Sequence, residues 1–266
     1  MTENDLAERL RETRVVLVGE QHAEAVSMAT HVEVLDAVAR LAAGRRVAVA
    51  VEWLPHSARL AAAGWVASIG SGGGDKGESV ESLRVAVDWD RVWGHDFAAY
   101  APVLLTLRSH GFQLVPVNAE PGLARLVARH GKDGVPDERK AELPPLDSAN
   151  DAHREWFFGV MREMAQHHGG HGASSDEALG RMYLAQLVWD ETMAAHVSEL
   201  ATRFDLVIVF AGTGHIGRGF GIPERIESGL TKLIILPSAT AVEAADRVRD
   251  EPFPGREADL FWVPVR

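Results

Sequence analysis

Two segments of the chain share one arrangement: a run of apolar residues stops at a glycine, and three positions later comes a histidine. The first is Val15-Val16-Leu17-Val18-Gly19-Glu20-Gln21-His22, and the second is Val207-Ile208-Val209-Phe210-Ala211-Gly212-Thr213-Gly214-His215. A third apolar run, Val47–Val51, ends directly in Glu52-Trp53. Two imidazoles and two carboxylates at strand ends can hold a divalent ion with a position open for water. A carboxylate left off the metal can move protons. Glu20, His22, Glu52 and His215 are therefore candidates both as catalytic groups and as metal ligands. One Gly-x-x-His after a strand is more often a hydrogen-bonded loop residue. The repetition, with a strand-end glutamate beside it, favours function.

Short apolar runs at Val15–Val18, Val47–Val51, Leu114–Val117, Leu206–Phe210 and Leu233–Leu236 fit buried strands. Helical patterns at Ala25–Ala43, Tyr100–His110, Pro121–His130, Asp151–Ala165 and Ala178–Arg203 lie between them. The alternation predicts an α/β fold with a central, mostly parallel sheet flanked by helices on both faces. In such sheets ligands bind beyond the carboxyl ends of the strands, where the four candidates fall. The glycines allow a sharp turn or a close backbone approach. Ser68–Gly77 is glycine-rich and reads as a surface loop, and Lys132–Asn150 as an irregular excursion. The two helical segments joined by Gln166–Asp176 are expected to form an insertion or lid, spanning about 132–203. No compositional break divides residues 1–266, so one domain is expected.

The 266 residues are 46% hydrophobic and 24% charged, with a formal net charge of -11, which suits a soluble core and disfavours nucleic acid and anionic membranes. Cysteine is absent, which removes disulfides, thiolate nucleophiles and cysteine-based metal sites. The remaining nitrogen and oxygen ligands suit manganese, cobalt, iron or zinc. The acidic start has no signal-peptide pattern, and no apolar run reaches the roughly 18 residues of a membrane span, so a cytoplasmic protein is expected. Gly212-Thr213-Gly214-His215-Ile216-Gly217 matches the dinucleotide fingerprint literally. The next strand ends in Pro237-Ser238, with no acidic residue for a ribose hydroxyl. The nucleophile-elbow, P-loop and His-Glu-x-x-His signatures are missing. His167-His168-Gly169-Gly170-His171 could hold metal or haem, although a solvated loop is the plainer reading. Tyr100 and Tyr183 could ligate ferric haem through a phenolate. Half-buried helix positions are their plainer reading. Trp89, Trp93, Trp156 and Trp189 read as core or as the floor of an apolar pocket.

The chain resembles the ChaN-like family, of a superfamily that includes the Tiki proteases and the erythromycin esterases. Val18-Gly19-Glu20-Gln21-His22, Val51-Glu52, Trp93 with Tyr100 and Pro102, and Val117-Asn118-Ala119 carry the resemblance. So do His168-Gly169, Ala185-Gln186 with Asp190-Glu191-Thr192-Met193-Ala194, and Gly212-Thr213-Gly214-His215 followed by Arg218, Gly221 and Pro223. Likeness to the Tiki branch implies a divalent-metal site for peptide hydrolysis. Likeness to the esterases implies lactone hydrolysis by a histidine and glutamates. Likeness to ChaN implies haem binding at a homodimer interface. The expected function is a metal-dependent hydrolase of a small-molecule or peptide ester or amide, with Asn118, Asp190 and Arg218 on the substrate side. The alternative is a haem- or iron-binding protein without hydrolysis, with His167, His168 and Tyr183 at the cofactor. A binding module without chemistry is the plainest reading.

Overall fold

The structure is a computed structural model describing residues 3–68, 79–146, 149–167, 175–247 and 257–264. Six strands form one sheet: β1 (Val15–Glu20), β2 (Val47–Pro55), β3 (Gln113–Asn118), β4 (Leu206–Gly212), β5 (Lys232–Pro237) and β6 (Leu260–Trp262). Every pairing is parallel, and the order is β3-β2-β4-β1-β5-β6. The first helices are α1 (Glu3–Glu12), α2 (Ala25–Leu41), α3 (Arg59–Ala67), α4 (Val80–Ala86), α5 (Trp89–Val92) and α6 (Phe97–Ser109). Then come α7 (Leu123–His130), α8 (Asp137–Lys140), α9 (Asp151–His167), α10 (Asp176–Arg203), α11 (Ile222–Arg225) and α12 (Ala241–Arg247). No described helix is long and apolar enough to cross a membrane.

Because the sheet is covered on both faces, its strands read as unbroken apolar runs. Within β1, Val16 and Val18 join Leu35, Val38 and Leu104 of α2 and α6 on one face. Val15 and Leu17 join Met193, Val197 and Leu200 of α10 on the other. The mostly parallel sheet flanked on both faces is thus present, with no antiparallel strand among the described residues.

Residues 132–203, expected as an insertion or lid, include the long helix α10. α10 has 28 residues and is roughly 42 Å long, whereas the seven-residue β4 it leads into is roughly 23 Å. The helix runs back along the sheet and overhangs the strand ends. Its C-terminal part, from Met193 to Ala201, is a layer of the main core. Only its N-terminal half stands above the rim, where Tyr183 and Leu187 pack on Phe157 of α9, and Ala185 and Val188 on α7. Residues 69–78 and 168–174, and with them most of the two expected loops, lie outside the described residues.

Candidate functional site

The strand order sets β2, β4 and β1 side by side, with Glu20 in register with Gly212 and Val51 with Phe210. The three segments singled out by sequence therefore end at one stretch of rim. Neither Gly19 nor Gly212 has a positive φ, so neither serves as a turn residue. Close approach explains both. A Cβ at Gly19 would sit 2.4 Å from Leu236. One at Gly212 would lie 3.3 Å from His22 Nε2 and 3.5 Å from Glu52 Oε2, so those side chains face each other across a bare glycine.

After β1 the chain turns through Ala23, which holds a left-handed φ of 58°. The Ala23 amide donates to the Tyr100 hydroxyl at 3.0 Å, fixing this uncommon conformation. His22 is thereby folded back so that its Nδ1 lies 2.8 Å from Glu20 Oε1. The same oxygen accepts from Tyr100 at 3.1 Å, and Glu20 Oε2 accepts from Trp53 Nε1 at 3.0 Å. A carboxylate can only accept, so His22 carries its proton on Nδ1 and turns the Nε2 lone pair toward Glu52 and the cavity. Glu20 was expected as a metal ligand and acid–base group. It is 1% exposed and already takes three donors, one of them His22 Nδ1.

His215 is held in the same way from the opposite side. Its Nδ1 donates to Asp190 Oδ1 at 2.6 Å, and its Nε2 faces Glu52 Oε1 at 3.4 Å. Gln186, one turn before Asp190, places its amide nitrogen 2.8 Å from the same Nδ1 and 3.4 Å from Asp190 Oδ1 and from the Gly214 carbonyl. Glu52 Oε2 accepts the Gly212 amide at 2.6 Å, which fixes the carboxylate between the two imidazoles. Asp190 was expected on the substrate side, but it is fully buried and bonded to His215. It positions that ring.

Burial opposes charge on each group, and the neighbours overcome it at His215, Glu52 and His22 but not at Glu20. His215 is pushed well above its ordinary value by Glu52 and Asp190, despite burial. Glu52 is buried too, yet His215 pulls it well below the usual carboxylate range. Glu20 is raised by burial, with the His22 hydrogen bond pulling the other way. His22 is raised by Glu20 and then Glu52 against its burial. In contrast, His95 is lowered by burial and by His22. His31, stacked on Phe210 at 3.9 Å beneath the site, is held neutral by burial, with its value down to about 3. The His22 imidazole is thus expected to titrate above 6.5, and Glu52→Gln to lower that midpoint. An NMR titration of its Cε1–Hε1 resonance checks both, and a wild-type midpoint below 6.5 contradicts this electrostatic picture.

These groups floor a cavity of about 640 Å³ that His22, Glu52 and His215 share with Trp53, Trp93 and Trp189. His95 and Arg91 stand on one wall, and Asn118, Glu120 and Arg125 on the other. Asn118, expected on the substrate side, lines the cavity, but its amide donates to the Glu52 carbonyl at 2.7 Å and its oxygen accepts from Ala119. Its main task is to tie β3 to β2.

Arg218 and Tyr183 do not line the cavity. Arg218 faces Glu257 at 3.9 Å in a partly exposed ion pair, which corrects its expected substrate contact. Tyr183 is 2% exposed among Phe157, Phe158 and His153, and burial raises its hydroxyl to about 12, which corrects the expectation of a phenolate haem ligand. His168 lies outside the described residues, and so does the side chain of His167. Among the described residues no group of three or more His, Asp or Glu side chains is placed to hold a metal ion. That agrees with the number of oxygens and Nδ1 atoms already committed to partners within the site.

An all-parallel α/β sheet whose adjacent strand ends carry two carboxylate-held histidines defines the class of this protein. The chain belongs to the family described as haem-binding uptake, Tiki superfamily, ChaN, whose profile matches residues 6–226. No curated protein sequence matches it. Among solved structures it is similar to ChaN of Campylobacter jejuni, described with cofacial haem binding, at 17% identity and a TM-score of 0.73. That match covers 98% of this chain and 91% of the other. It is also similar to the type III effector HopBA1, at 12% identity and a TM-score of 0.52, covering 99% and 94%. At these identities the structural likeness shows the fold alone.

Proposed function

We propose that the cavity hydrolyses an ester or amide by general acid–base catalysis, with His22 as the base. The observation that carries this is the Glu20–His22 pair, 2.8 Å apart, which fixes the tautomer and leaves Nε2 toward the cavity. His22 Nε2 takes a proton from water as the water oxygen attacks the substrate carbonyl carbon. The carbonyl electron pair moves onto oxygen, where the His215 imidazolium meets the developing charge. Collapse re-forms the carbonyl, and the departing oxygen or nitrogen takes the proton back from His22. Glu20 and Asp190 hold the two rings, and Glu52 keeps His215 charged. Turnover requires neutral His22, so the rate is present above its raised pKa and lost as pH falls through it.

A second reading, haem binding, is favoured by the family match. The donor set fits a haem: the partly exposed His22 imidazole, with His95 beside it, opens into a cavity flanked by Trp93 and Trp189. His22 or His95 would hold the group, which supplies a redox-active iron when bound.

One experiment separates the two. Purified protein is assayed against a panel of chromogenic esters and lactones and, in parallel, titrated with hemin. The hydrolytic reading expects turnover that His22→Ala removes. A Soret shift that saturates at a fixed stoichiometry and weakens in His22→Ala, with no turnover of any ester, overturns it.

A further inference from the structure

Each imidazole of the site has an indole at its side. Trp93 lies edge-on to His22 with ring centroids 4.7 Å apart, and Trp189 edge-on to His215 at 6.0 Å. Trp93 is half-buried and Trp189 is 36% exposed, an unusual exposure for so large an apolar side chain. Both line the cavity, so a ligand that reaches the histidines passes beside them. The charged groups on the cavity walls differ in how far they are committed. Arg91 is paired with Asp88, and Glu120 accepts from the Ser57 amide and hydroxyl at 2.9 and 2.7 Å. Arg125, on the exposed side of α7, lines the cavity with no carboxylate partner among the described residues. A chain with a net charge of -11 thus lines its candidate site with a guanidinium that has no carboxylate partner among the described residues.

The geometry points to a planar, apolar substrate that carries a carboxylate, its flat body against Trp93 and Trp189 and its anion on Arg125. This rests on the hydrolytic reading for what happens next, but recognition can be measured without turnover. Arg125 and the indoles select the ligand, and His22 and His215 act on it. A guanidinium matches a carboxylate in a two-point hydrogen bond, which sets anionic substrates apart from neutral ones of the same shape.

The test uses 2-naphthoate and its neutral counterpart 2-naphthalenemethanol, with indole fluorescence quenching as the binding readout. The wild-type protein is expected to bind naphthoate about tenfold more tightly than the alcohol, the effect of one charge-assisted hydrogen bond. Arg125→Gln is expected to remove that preference while leaving the alcohol's affinity unchanged, and Trp189→Ala to weaken both ligands. Equal affinity for the two probes in the wild-type protein overturns the proposal, as does a preference that survives Arg125→Gln. Hydrolysis of naphthyl esters is measured separately. Binding that behaves as expected without turnover leaves the recognition proposal standing and removes the hydrolytic one.

Discussion

Glu20→Gln is expected to lower kcat/KM on a responsive ester by about 10³–10⁴-fold, the scale on which an orienting carboxylate acts in a histidine dyad. Glu20 receives N–H or O–H groups from His22, Tyr100 and Trp53 and offers only acceptors in return. A glutamine amide has one acceptor and one donor end, so it cannot meet all three. With its nitrogen toward His22 it draws the lone pair onto Nδ1 and the proton onto Nε2, and the base disappears. With its nitrogen toward Trp53, two buried donors oppose each other at a cost of about 1–3 kcal/mol. In both cases the anion that steadies imidazolium is gone. The protein is expected to stay folded by circular dichroism. ¹⁵N NMR of the His22 ring reports the tautomer without any substrate. A variant within tenfold of wild-type activity removes Glu20 from the mechanism, and Tyr100→Phe, which keeps the dyad, is the comparison.

The contrast between Glu20 and its partners shows where the sequence is readable. Five of the six strands stand out because burial on both faces demands unbroken apolar runs, and all five are present. β6 is missed because it has three half-buried residues at the sheet edge, too few to show a period. His22, Glu52 and His215 are found through a local signal, chemistry placed just past a strand. The groups that hold them are distant in sequence. Tyr100 is 80 residues from Glu20, Trp53 is 33 away, and Asp190 is 25 from His215. One signal was open to reading. Tyr183, Leu187, Asp190, Ala194, Val197 and Ala201 recur at spacings of three and four along one buried stripe of α10. A carboxylate on such a stripe needs a buried partner, which points toward a histidine or arginine rather than toward substrate. The same stripe explains why Tyr183 is core.

His215→Ala is expected to destabilise the fold by about 3–5 kcal/mol, the range for removing one partner of a buried ion pair. Asp190 is fully buried and Glu52 is 5% exposed, and His215 is the cation bonded to both. Without it, two carboxylates face each other in a space closed by β4 and α10. For a chain of this size the midpoint of thermal unfolding is expected to fall by about 10 °C. The effect depends on pH in a definite direction. Glu52 has a lowered folded pKa, about 2, so its share of the stability is present above 4.5 and lost as pH falls toward 2. His215 has a raised folded pKa, so its share is present below 6.5 and lost as pH rises through the folded value. The gap between wild type and His215→Ala is therefore widest between about pH 4.5 and 6.5, and narrows on either side. Adding Asp190→Asn to His215→Ala is expected to recover part of the loss, because a neutral amide needs no counter-charge. A single-variant loss below about 1 kcal/mol, or a gap that stays flat across the whole pH range, means that Glu52 is not held ionised against His215.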